Sequence, residues 1–262
     1  MDIREKRILK KIVDQYIKTA QPVSSKKIAC QNNLTVSSAT IRQVMYNLEQ
    51  QKLICQPHTS AGRIPTEQGY QYYVDYFLKN KTLELNKQKL ICPLINEIFK
   101  TKTQRRKIIK NLAKLVSKIS QTAVLISFAL QDTYYTGLSF LFNQPEFKDL
   151  NLIRIISQVV DHLDSQILKL LTEQTNLNVL ENNPTLSTIM TKHNITDKKG
   201  KKDNQELQIL IGNNNPLGND LSAFVGRIKE QEMSIILLGP MRMNYQKNLN
   251  LMNYIITTFK HC

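Results

Sequence analysis

The sequence predicts an α+β protein, an N-terminal winged helix-turn-helix followed by a domain of helices on an antiparallel sheet. Three observations carry this. Apolar residues recur at helical spacing in three successive stretches of the first 50 residues, divided by turn residues. A short strand, a Gly-tipped polar loop with a lone arginine and a second short strand then follow at once, over 53–64. From residue 121 onward, β-rich apolar runs replace the helical period, interrupted by long amphipathic segments.

The elements follow in order. A first helix is expected from about Ile3 to Thr19, with Ile8, Ile12, Val13, Tyr16 and Ile17 along one stripe. Pro22 ends the connection, Ser24 or Ser25 caps a short second helix through Ile28 and Ala29, and Asn32-Asn33 turns the chain. Ser37 or Ser38 caps a third helix reaching about Gln50. Its Ile41, Val44, Met45 and Leu48 face inward. Leu53–Gln56 reads as a strand, Arg63-Ile64 as its partner and Pro57–Gly62 as the wing. Thr66 caps a fourth helix with Tyr70, Tyr73, Val74, Phe77 and Leu78 at core spacing. Tyr70, Tyr72 and Tyr73 resemble a stacking platform for single strands, but their spacing favours core packing.

Residues 81–120 are expected to form basic helices that link the domains, meet a second subunit or hold phosphates. Ala123–Leu130 then reads as a buried strand and Leu150–Leu171 as a long helix. Leu207–Ile211, Ala223–Ile228 and Ser234–Leu238 read as strands. A last helix from about Asn244 aligns Tyr245, Leu249, Met252, Ile256 and Phe259. The expected division is therefore 1–80, a helical 81–120 and an α+β domain over 121–262.

Charge is distributed unevenly. Residues 1–80 hold 12 Lys and Arg against 6 Asp and Glu, residues 81–120 hold 11 against 2, and residues 121–262 hold 13 of each. All of the net +15 thus lies in the first 120 residues, an asymmetry that a polyanion partner explains directly and that ordinary solubility charge explains less well. Cys30, Cys55, Cys92 and Cys262 are scattered without a Cys-x-x-Cys pair, which argues against a zinc site and a disulfide framework. No apolar run approaches the length of a membrane span, so a cytoplasmic location is expected.

In a helix-turn-helix the second helix of the pair enters the major groove, here the helix from Ser38. Arg42 suits bidentate binding to guanine, Gln43 or Asn47 suits adenine, and Tyr46 shares their face. Ser37, Ser38 and Thr40 at the helix start suit phosphate, aided by free backbone amides. Lys26 and Lys27 are expected on the flanking strand, and His58, Thr59, Ser60 and Arg63 reach from the wing to backbone or minor groove. Double-stranded DNA is the partner these residues imply. No triad, Walker loop or metal-binding helix motif is present, which argues against an enzyme and against any cofactor or metal.

Pro22-Val23-Ser24-Ser25, Ser37-x-Ala39-Thr40-Ile41-Arg42 and the long wing string Gln56–Thr66 resemble the HrcA heat-inducible transcription repressor family. Tyr135-Thr136-Gly137-Leu138-Ser139 with Gln144-Pro145-Glu146-Phe147 extends the resemblance. So do Ile211-Gly212, Asn215-Pro216-Leu217 and Gly239-Pro240-Met241-Arg242-Met243-x-Tyr245. The resemblance implies a homodimer with a winged helix and a GAF-like domain interrupted by a dimerisation insert. It implies binding to an inverted-repeat operator before chaperone operons, and dependence on the GroE-type chaperonin, which heat diverts to damaged clients. This chain departs from the pattern. Only Gln131–Tyr134 separates the first strand from the Tyr-x-Gly-Leu-Ser segment, so the insert is expected to be shortened or missing. A dimer contact would then fall to the 81–120 helices or the α+β domain. The alternative is a winged-helix regulator that senses a small molecule through its C-terminal domain.

Overall fold

The computed structural model describes residues 1–30, 37–79, 81–101, 103–129, 132–148 and 206–261. They fall into two compact units, Met1–Lys79 with Met241–Tyr245, and Asn80–Pro240 with Gln246–Cys262.

The first unit is built on helix α1 (Ile3–Thr19), helix α2 (Ser25–Ala29) and helix α3 (Ser38–Gln50). Asp2 opens α1 with a reciprocal cap, its carboxylate accepting from the Glu5 amide at 2.6 Å while Glu5 accepts from the Asp2 amide at 3.0 Å. Two of the otherwise orphaned amides at the helix start are satisfied in this way. Ile8, Leu9, Ile12 and Val13 of α1 are buried, as are Ile28 of α2 and Ile41, Val44, Met45 and Leu48 of α3. The periodicity of the sequence placed all three helices. The Asn32-Asn33 turn lies outside the described residues.

Strand β1 (Ile54–Cys55) pairs antiparallel with strand β2 (Ile64–Pro65), Cys55 facing Ile64. Helix α4 (Glu67–Phe77) starts at Thr66, whose hydroxyl accepts from the Gly69 amide and donates to the Lys52 carbonyl. Gly69 is required there, because a Cβ would lie 2.0 Å from the Leu53 carbonyl oxygen. The core reading of the tyrosines holds for Tyr70 and Tyr73, both buried. The Tyr73 hydroxyl donates to Asp14 at 2.7 Å, and burial, then this neighbouring carboxylate, push its pKa well above the usual range. Tyr72 instead stacks on exposed Tyr76 at 4.8 Å, under the Lys6 ammonium.

Met241–Tyr245 completes this unit, although the expected boundary at residue 80 excluded it. Tyr245 is fully buried, with ring centroids 5.8 Å from Tyr70 and 6.4 Å from Tyr73. Arg242 donates to the Ile17 carbonyl at the end of α1. No local pattern marks such a return of the chain.

The second unit holds helix α5 (Leu85–Lys100), helix α6 (Arg105–Ser120), strand β3 (Ala123–Ala129), strand β4 (Asp132–Thr136) and helix α7 (Leu138–Phe142). Strand β5 (Leu207–Ile211), strand β6 (Leu221–Ile228), strand β7 (Met233–Pro240) and the last helix α8 (Tyr245–His261) follow. The strands form one antiparallel sheet in the order β4-β3-β7-β6-β5. On one face Ala123, Leu125, Ala223, Val225, Ile236 and Leu238 pack with Leu141, Phe147, Leu217 and Leu221. On the other, Gly226 lets α8 approach so closely that a Cβ would lie 2.5 Å from the Met252 methyl. The alternation between faces follows from the period of two along each strand.

Residues 81–120 lie with the second unit: Ile91, Ile95, Ile98, Ile108, Ile109, Leu112 and Val116 are buried, and α6 packs on α5, β3 and β4. Strand β4 starts at Asp132, inside the short spacer, and pairs with β3 from Ala129↔Asp132 to Val124↔Thr136. The Leu150–Leu171 helix lies outside the described residues.

Candidate nucleic-acid interface

The outward side of α3 is set by its inward one. With Ile41, Val44, Met45 and Leu48 buried, the 3.6-residue period turns Arg42, Gln43 and Tyr46 into solvent and leaves Asn47 half-buried. Gln43 donates through Nε2 to the Asn47 carbonyl oxygen at 3.3 Å, one turn along. This couples the two amides and leaves the Gln43 carbonyl and the Asn47 NH2 to meet a base edge.

Ser37 is the N-cap of α3, its hydroxyl accepting from the Thr40 amide at 3.2 Å and lying 3.0 Å from the Thr40 hydroxyl. Ser37 is exposed, and Ser38 and Thr40 are half-buried. The positive end of the helix dipole is therefore open to an anion. Lys26 and Lys27 are exposed on α2, where Ser24 caps the Lys27 amide. The single acid of α3, Glu49, does not weaken this face, because Arg63 engages it.

The wing has a defined internal structure. Gln56 donates its side-chain amide to the Thr59 carbonyl at 2.7 Å and the Ala61 carbonyl at 3.0 Å, and the Ala61 amide returns to the His58 carbonyl at 2.8 Å. This holds His58, Thr59 and Ser60 exposed at the tip. At the base, Val23 and Arg63 exchange two backbone hydrogen bonds of 2.9 Å each, tying the wing to the α1–α2 connection. Gln56 lies inside the wing string with no role legible in the sequence. Its hydrogen bonding to carbonyls of its own loop cannot be seen before the loop is folded. Replacing it with alanine removes both bonds and is expected to raise amide exchange over 57–62 and weaken DNA binding by roughly 3- to 10-fold. Unchanged exchange in that loop would dismiss Gln56 as a clamp.

Arg63 has a different place from the one the sequence suggested. Its Nε and guanidinium nitrogen reach one Glu49 oxygen at 3.1 and 2.9 Å, and its side chain is only 19% exposed. It holds the wing base against the end of α3, so the wing residues that face outward are His58, Thr59 and Ser60. Lys26, Lys27, Ser37, Arg42, Gln43 and Tyr46 are exposed, with Ser38, Thr40 and Asn47 partly covered.

Fold and face together define a winged-helix protein with a five-stranded α+β second unit. A family model described as the HrcA protein C terminal domain matches residues 71–249. The chain belongs to the HrcA family. Among relatives, the heat-inducible transcription repressor HrcA of Acetivibrio thermocellus is 42% identical over 120 residues, spanning 46% of this chain and 31% of that protein. The repressor of the same name from Pelotomaculum thermopropionicum is 38% identical over 147 residues, 55% of this chain and 41% of its own length. The chain thus matches well under half the length of these relatives. A crystal structure titled only as a hypothetical protein aligns over 100% of this chain and 97% of its own, with a TM-score of 0.56 at 19% identity, and shares the fold.

Proposed function

We propose that this protein is a sequence-specific DNA-binding repressor of chaperone operons. The observation that carries the reading is one exposed face of α3, with Arg42, Gln43 and Tyr46 projecting and the Ser37 cap at its positive end. The relatives that match it are named heat-inducible transcription repressors, which supplies the regulatory sense. In this reading α3 enters the major groove, Arg42 and the Gln43–Asn47 pair meet base edges, and Ser37, Lys26 and Lys27 hold phosphates. His58, Thr59 and Ser60 reach the adjacent backbone. A homodimer in the cytoplasm offers two such helices to an inverted repeat, with half-site centres one or more helical turns of about 34 Å apart. Release on heating follows the family pattern, through diversion of a GroE-type chaperonin.

Footprinting of the full chain on the regions upstream of its own organism's chaperone operons tests the reading. Two symmetric protected half-sites are expected, restored by fresh chaperonin after mild heating. Even protection along random DNA would refute sequence-specific repression, and recovery without chaperonin would refute that part alone.

A further inference from the structure

The structure sorts the cations of α6 into two sets. Arg105 donates to the Gln231 carbonyl at 2.9 Å, Arg106 pairs with Asp132 and lies over the Phe128 ring, and the Lys110 ammonium stands 4.9 Å from the Tyr134 ring centre. These three fasten the helix to its own unit. Lys107, Lys114 and Lys118 have no such role. All three are exposed, and none has an ion pair or ring contact among the described residues. With exposed Asn111 they occupy positions i, i+4, i+7 and i+11, an arc of about 60° on one side of the helix. The opposite side, Ile108, Ile109, Leu112, Ala113 and Val116, is buried. α6 carries no Asp or Glu along its whole length.

We infer that this lysine face of α6 is a second DNA-binding surface, one that grips the phosphate backbone of duplex outside the base-reading site. The inference rests on the proposed DNA-binding function and extends it to the second unit. The chemistry is that of charge alone. Three ammonium groups spread over about 16 Å of helix match a line of phosphates, which recur about every 3.4 Å along each strand of a duplex. The row has no planar fork for bidentate base recognition and, among the described residues, no aromatic partner of its own, so it adds grip without sequence preference. Lysines with no partner among the described residues also lose no bond seen there when a phosphate is met. Lys107, Lys114 and Lys118 each displace condensed counterions on binding, which gives the face a measurable signature.

The test is the full chain carrying Lys107→Gln, Lys114→Gln and Lys118→Gln together, titrated over a series of salt concentrations against operator duplexes of 20 and 60 base pairs. On the long duplex the slope of log K against log salt is expected to fall by about 2.7, near 0.9 for each lost phosphate contact. The preference for operator over random duplex of equal length should stay unchanged. The triple Lys→Arg chain keeps its charge and should keep the wild-type slope, and equal melting temperatures show that all three chains fold. If the wild-type chain prefers its operator but the triple Gln chain has an unchanged slope, the second surface is wrong and the repressor reading survives. If the wild-type chain shows no preference for any duplex, the repressor reading fails first. Loss of slope on an acidic polypeptide competitor but not on DNA would reassign the face to a protein partner and overturn the inference.

Discussion

Gly62→Ala is expected to unseat the wing and cost about 3 kcal/mol of stability, the upper end of the usual penalty for overpacking. A Cβ at residue 62 would lie 2.4 Å from the Val23 carbonyl carbon, 2.5 Å from its oxygen and 2.8 Å from the Ser24 nitrogen. All three are backbone atoms, so no side-chain rotation relieves the overlap. The chain must move apart where Val23 and Arg63 exchange their two hydrogen bonds. Those bonds stabilise by roughly 0.5–1.5 kcal/mol each, and losing them adds to the steric term. Urea unfolding of the full chain should show an earlier first transition, and amide exchange should rise at 57–63 and at Val23. Operator affinity should fall with it, because His58, Thr59 and Ser60 lose their placement beside α3. An unchanged midpoint together with unchanged exchange would show that this close approach is not made in solution.

The second large effect concerns recognition without stability. Arg42→Ala is expected to weaken operator binding by about 1–3 kcal/mol, or roughly 5- to 150-fold, while binding to random duplex changes much less. The side chain is exposed and lies outside the buried set of α3, so the melting temperature should stay close to that of the parent chain. Lys26→Ala is the companion measurement. Lys26 is exposed on α2, and as a phosphate contact its loss should weaken all duplexes alike and flatten the salt dependence. Equal loss on operator and random DNA for both variants would remove the distinction between base reading and phosphate binding.

The two variants probe different levels of organisation, and these levels were not equally legible. The helices α1 to α4 follow from apolar spacing and caps; Thr66 caps α4 as its chemistry suggests, and of the pairs Ser24/Ser25 and Ser37/Ser38 the first member is the cap. The outward set Arg42, Gln43 and Tyr46 follows from the same period, since fixing the buried face fixes the other. The second strand of the wing lies one residue later than its sequence suggests, Ile64-Pro65 in place of Arg63-Ile64. A two-residue strand has too little alternation to set its own frame. β4 carries a weak sequence signal for a similar reason, being a short edge strand of Asp, Thr and Tyr whose pairing with β3 supplies the order. Residues 81–120 looked like a linker because their charge is conspicuous, whereas their buried isoleucines decide where they pack.

By itself the sequence determined the order of the first four helices, the presented face of α3, the polar wing and the concentration of positive charge in the first 120 residues. These are properties of neighbours along the chain, set by period, capping chemistry and composition. Only the tertiary structure decided that Arg63 serves Glu49, that Gln56 braces the wing, that Tyr245 fills the core beside Tyr70, and that three lysines of α6 stand unengaged among the described residues. The first three depend on partners from 3 to 175 residues away. A side chain's partner is chosen by where packing brings the backbone, and a local pattern carries no record of that.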